Sequence, residues 1–193
     1  MKTKIKSAFL ICVVLLGTTS SAMAQTYDFT EGEQLKASRQ FVIAETSLTA
    51  PILYQFAVSA IDTESNATLA LNETVEGFDS KESTIPVTSF KLVSGPKLYD
   101  ESTWYVATII SEGIELQISA VIFRSGSLVE LWSVISASGS HIGSLQTIAE
   151  TFAVEVPEDI TDANILSTLP GMTDIPAGYY LNEELVEPGD DPA

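Results

Sequence analysis

Residues 104–136 read WYVATIISEGIELQISAVIFRSGSLVELWSVIS, and this stretch decides the fold. It divides into three β-rich runs. Trp104–Ser111 stops at Glu112-Gly113, and Ile114–Phe123 stops at Arg124-Ser125-Gly126-Ser127. Leu128–Ile135 then runs on to a Ser/Gly group at 136–139. β-Branched and aromatic residues suit a pleated, half-buried surface, and short turns containing Gly and Ser join neighbouring strands as hairpins. The reading is an antiparallel meander. In its last run Leu128, Glu130, Trp132 and Val134 share one face, and Val129, Leu131, Ser133 and Ile135 share the other. Both faces are largely apolar, so something must cover each of them.

Working outward, two amphipathic segments offer that cover. Residues 139–153 (GSHIGSLQTIAETFA) set Leu145, Ile148, Ala149 and Phe152 at helical spacing, with Ser138 or Ser140 as N-cap. Upstream, Leu71, Val75 and Phe78 form one stripe of a helix expected over about 65–79, with Asp62 or Ser65 at its start. Residues 52–61 (ILYQFAVSAI) alternate with period two and read as a strand, as do Val87–Val93 (VTSFKLV) and the short run Phe41–Ala44. Ser94-Gly95-Pro96 ends the second of these. The expected fold class is therefore α+β: an antiparallel β-sheet meander flanked by amphipathic helices, an α/β/α sandwich.

The amino terminus gives a destination. Lys2, Lys4 and Lys6 form a basic region, Ala8–Leu16 an apolar core too short to span a bilayer, and Ala22-Met23-Ala24 a small-x-small cleavage pattern. The expected organisation is a signal peptide over 1–24, a polar leader over 25–39 and a single α+β domain over 40–157. An extended segment over 158–180 follows, docked through Ile175 and Tyr179, and then a disordered acidic tail over 181–193, where Glu183, Glu184, Glu187, Asp190 and Asp191 crowd together.

Charge and cysteine content exclude several function classes. Of nine basic residues three belong to the signal, which leaves six against 26 acidic ones, a net charge of about −20. Such a field repels phosphate backbones and anionic headgroups, so neither nucleic acid nor a membrane surface is an expected partner of the mature chain. Cys12 is the only cysteine and leaves with the signal. A disulfide, a thiol nucleophile and a thiolate zinc site are thereby excluded, and an exported domain without disulfides points to a bacterial source.

Residues 40–153, through the run 104–136 and the following helix ending in Ile148-Ala149-Glu150-Thr151-Phe152, resemble the PsbP-like α/β/α sandwich family. That family includes a photosystem extrinsic protein and many small exported bacterial proteins without assigned function. The resemblance implies the sandwich fold, and it carries no functional residue over to this chain.

Candidate chemistry is sparse. His141 is the only histidine, and Ser140 beside it is not a nucleophile elbow, because histidine occupies the middle of Gly139-Ser140-His141-Ile142-Gly143. Glu158, Asp159, Asp162 and Asn164 lack the register of a calcium loop. Glu112, Glu115 and Glu130 are the carboxylates available for acid–base work, yet they lie near turns or on alternating faces without a visible partner. Tyr54, Phe56, Trp104, Tyr105 and Trp132 fall on strands, where aromatics are core residues first and pocket walls second. No catalytic residue, metal site or cofactor is expected. The expected function is an exported, non-catalytic domain that binds a partner protein or a small ligand in the cell envelope or outside the cell. An exported carboxylate-dependent hydrolase and an acidic structural envelope protein are the alternatives.

Overall fold

A computed structural model of the chain describes residues 33–43, 52–79, 87–111, 113–152 and 156–188. The elements run β1 (Glu33–Ile43), β2 (Ile52–Ile61), α1 (Glu64–Asp79), β3 (Val87–Val93), β4 (Glu101–Ser111), β5 (Ile114–Ser125), β6 (Leu128–Ser136), α2 (Ile142–Thr151) and β7 (Tyr179–Pro188), with a 3-10 turn at Ile165–Thr168 before β7. The signal-peptide expectation for 1–24 lies outside the described residues. Among those described, no helix is long and apolar enough to cross a membrane.

The seven strands form one antiparallel sheet in the order β3-β4-β5-β6-β2-β1-β7. The meander of residues 104–136 supplies β4, β5 and β6. β6 sits at the centre of the sheet, and all nine of its residues are buried. β2 then joins β6 in register from Ile52↔Ser136 to Ala60↔Leu128, and β1 and β7 extend the sheet beyond it.

This sheet corrects the expected fold class. Of the described residues 52% are strand and 20% helix, a sheet-dominated fold rather than an α+β sandwich with flanking helical layers. The physical reason lies in how little each helix covers. On one face α1 contributes Ala67, Ala70 and Leu71 to a core with Leu53, Ile109, Ile118, Leu131 and Ile135. On the other face α2 contributes only Leu145 and Ile148. The rest of that face is closed by irregular chain, with Ile165, Leu169 and Ile175 packed among Phe41, Phe56, Phe123 and Trp132.

Two further expectations are corrected. Residues 33–39, read as part of a polar leader over 25–39, belong to β1, whose Lys36 and Glu33 pair across 3.9 Å while Ser59 Oγ donates to Glu33 at 2.5 Å. Residues 181–188, read as the start of a disordered acidic tail, lie in β7, which pairs with β1 from Leu35↔Pro188 to Ile43↔Tyr179. Arg39 fixes this edge: its Nε donates to Glu184 at 2.6 Å and its Nη1 to the Leu169 carbonyl at 3.0 Å. The boundary drawn at residue 157 therefore falls inside the folded unit.

Candidate functional site

The sequence break at Ser94-Gly95-Pro96 builds the most distinctive surface of the molecule. β3 ends at Val93, and the chain returns to β4 through residues 94–100. Gly95 lies flat against the Trp104 indole, so close that a Cβ there would stand 2.5 Å from three ring atoms. The indole N–H of Trp104 donates to the Pro96 carbonyl at 2.8 Å, and Ser102 Oγ accepts from the Leu98 amide at 3.1 Å. Gln146 of α2 reaches over to donate to the Ser94 carbonyl at 2.9 Å.

The far end of this loop is held by charge. Tyr99 adopts a left-handed backbone (φ 48°), a conformation uncommon for a residue with a side chain, and its ring stacks on Phe123 at 5.3 Å. Asp100 accepts from the Gly126 amide at 2.8 Å, and its own amide donates to the Arg124 carbonyl at 3.1 Å. Arg124 lies within 4 Å of three carboxylates: Asp100 at 3.4 Å, Glu101 at 3.7 Å and Glu64, at the start of α1, at 3.9 Å. Loop 94–100 is thus tied to β4, β5 and α2, and forms a firm wall.

Between that wall and α1 runs an open groove of about 660 Å³. Leu71 and Asn72 of α1 line one side, Leu92 and Val93 of β3 the other, with Thr103 between them and Lys97 and Glu101 in the lining as well. α1 packs mainly over β5 and β6 and meets β3 through the Val75, Val87 and Phe90 side of the core, which leaves Leu92 uncovered. Leu92 is left 58% exposed, the most exposed large apolar residue among those described. Lys91 and Lys97 are also distinctive. Lys36, Arg39 and Arg124 each have acidic partners, whereas among the described lysines and arginines these two form no ion pair.

The residues singled out from sequence disperse over the molecule. His141 stands at the N-cap of α2, its amide donating to buried Ser119 Oγ at 2.8 Å and its Nε2 lying 3.4 Å from Ser138 Oγ. Ser140 Oγ meets Ser119 Oγ at 3.0 Å, so this serine–histidine cluster caps a helix and has no carboxylate among its hydrogen-bond partners. Asn164 organises a turn, accepting from the Thr161 amide and donating to the Asp159 carbonyl, while Glu158, Asp159 and Asp162 face solvent. No group of three or more His, Cys, Asp or Glu side chains among the described residues is placed to hold a metal ion.

The carboxylates do not meet. Glu112 lies outside the described residues and Glu115 is exposed near the start of β5. Glu130 is paired with Phe123, eight positions further along β5, roughly 26 Å away. Glu130 is buried in the core, and burial pushes its carboxyl well above the ordinary range, only partly offset by the hydrogen bond from Trp132. It is a core group held towards its neutral form, and no second carboxylate meets it among the described residues.

The aromatics sort in the same way. Trp132 packs edge-on against Phe56, Phe123 and Phe152 at 5.0–5.7 Å, and Tyr105 is fully buried beside Phe90. Tyr54 meets Tyr179 edge-on at 4.9 Å, where burial and then the neighbouring Tyr54 push the Tyr179 phenol up to about 12. Only Trp104 borders the groove. Sequence reasoning missed Gln40, Gln55 and Ser133, which sit side by side across β1, β2 and β6 with buried side-chain oxygens that accept no hydrogen bond. Their row continues through Ala120 and Tyr105 to Leu92. Alternation within each strand was visible, but which strands align was not.

No family model matches the chain, and no curated protein matches it. A crystal structure of a protein of unknown function from Pseudomonas aeruginosa is similar, with 15% identity and a TM-score of 0.43 over 70% of this chain and 90% of that one. A likeness of this degree carries no functional inference.

Proposed function

We propose that this chain is an exported, non-catalytic domain that binds a partner protein or a small ligand in the groove between α1 and the β3–β4 hairpin, in the cell envelope or outside the cell. The groove itself carries the reading: it is shallow and open, mixed in polarity, bounded by the pinned loop 94–100, and presents Leu92 to solvent. Apolar area left open beside a rigid wall gains free energy only when something covers it, at roughly 25 cal/mol per Å² of apolar surface. The basic and apolar segments of residues 1–24 support export. The strongly negative net charge argues against nucleic acid as the occupant.

The test is photocrosslinking in intact cells. A photoreactive side chain at position 92 should capture a discrete partner, whereas one at the exposed Glu150 position of α2 should not. Equal, indiscriminate labelling from both positions, or none from position 92, contradicts the reading.

A further inference from the structure

The groove has one wall that is also a free sheet edge. Among the described residues β3 is the terminal strand and pairs with β4 alone, so one side of its backbone has no described strand partner within the sheet. Its first half is blunted: the register slips between Val87 and Ser89, and Thr88 turns its hydroxyl to the Thr108 carbonyl. From Ser89 to Val93 the pairing is regular, and there Lys91 and Leu92 are exposed.

We infer that Ser89–Val93 is a docking edge for an extended segment of a partner protein, which adds to the sheet beside β3 and sets a carboxylate against Lys97 in the groove lining. This rests on the groove being the binding site and names the form its occupant takes. Strand addition supplies affinity through backbone hydrogen bonds, and side-chain pockets supply the choice of partner. Here the apolar contact is Leu92, on the α1 side of the sheet with Phe90 and Tyr105.

Charge complementarity selects the partner. In a chain of net charge −17, the two described lysines without an ion pair lie on β3 (Lys91) and in the groove-lining loop that follows it (Lys97). An edge lysine also discourages indiscriminate strand pairing, since an incoming strand must desolvate it or neutralise it. A partner strand with a single carboxylate satisfies Lys97, while a polyanionic one is repelled by the rest of the molecule. The opposite edge, β7, carries Glu183, Glu184 and Glu187 and has no comparable free cation.

The test uses the full chain and short synthetic strands of alternating valine and threonine. One ends in glutamate, one in glutamine, and one is the glutamate strand with its backbone nitrogens methylated. Amide shifts on adding the glutamate strand should centre on Ser89–Val93 and spare β7. The glutamine strand should bind roughly threefold to fivefold more weakly, the worth of one exposed ion pair, and the methylated strand should not bind. Lys97→Glu should reverse the preference towards a strand ending in lysine. Shifts elsewhere, or binding indifferent to methylation, overturn the inference. So does a concentration-dependent dimer through β3, which would make a second copy the occupant. If position 92 still crosslinks a partner in cells while no strand binds, strand addition fails and the groove reading stands. If neither occurs, both fail.

Discussion

Trp132 donates its indole N–H to the carboxyl of Glu130, two residues earlier on the same strand and on the same face, across 2.8 Å. Glu130 is thereby held in an aromatic core with one oxygen bonded and the other accepting no hydrogen bond. A buried carboxyl with so little compensation keeps its proton, because the charged form would lose its water and gain one donor.

This gives a pH dependence of defined sign. The unfolded chain ionises this glutamate near pH 4.3, whereas the folded value lies well above. Below the unfolded value both states are protonated and nothing is lost. As pH rises past it, the unfolded chain releases the proton and the folded chain does not, so relative stability falls until the folded value is reached. Glu130→Gln mimics the protonated group. Urea unfolding across a pH series should show the variant gaining on the parent from about pH 4 upward. A constant offset at every pH would mean that folding does not shift the Glu130 carboxyl.

Gly95 is tied to Trp104 by contact rather than by backbone strain. Gly95→Ala places a methyl group into the indole ring and should cost about 1–3 kcal/mol, the usual penalty of overpacking. If the ring shifts to make room, the Trp104–Pro96 hydrogen bond is lost and tryptophan emission moves to longer wavelength. Unchanged stability and unchanged emission would show that loop 94–100 is not the firm wall described.

β7 makes the carboxy-terminal segment structural. Truncation after Tyr180 removes most of its ladder with β1 and the Arg39–Glu184 pair. The melting temperature should fall by more than about 4 °C, since each kcal/mol lost is worth roughly 2–4 °C at this size. Truncation beyond Pro188 should leave it unchanged. If the two truncations melt alike, β7 does not hold to β1.

How much of this was legible follows from how strongly each segment is buried. The run 104–136 announced itself because central strands are apolar on both faces and turns of Gly and Ser punctuate them. Leu71 and Leu145 marked their helices through spacing alone. β7 was hidden because it is a solvated edge strand, and β1 because, though mostly buried, it buries the polar side chains of Glu33, Lys36 and Gln40. Lys36 and Glu33 neutralise each other only in the fold, and the glutamates of β7 share the composition of a solvated tail. The groove was not legible at all. It depends on how α1 sits against β3 and the β3–β4 loop, a relation between separate elements, and the one local trace was the aromatic Trp104 following Gly95-Pro96. The interior position of Glu130 was visible as one polar residue on the apolar face of Leu128, Trp132 and Val134; its protonation was not.

The central claim is that the open face beside β3 binds and that the rest of the molecule supports it. Leu92→Asp tests this most directly, because Leu92 is 58% exposed and its replacement should change stability by no more than about 0.5 kcal/mol. The measurement is co-elution by size from gently lysed cells, paired with melting temperature. The account predicts a parent chain that elutes in a complex with its crosslinked partner, and a variant that melts like the parent and elutes alone. A Leu92→Asp chain that melts like the parent and still elutes in the same complex would contradict it.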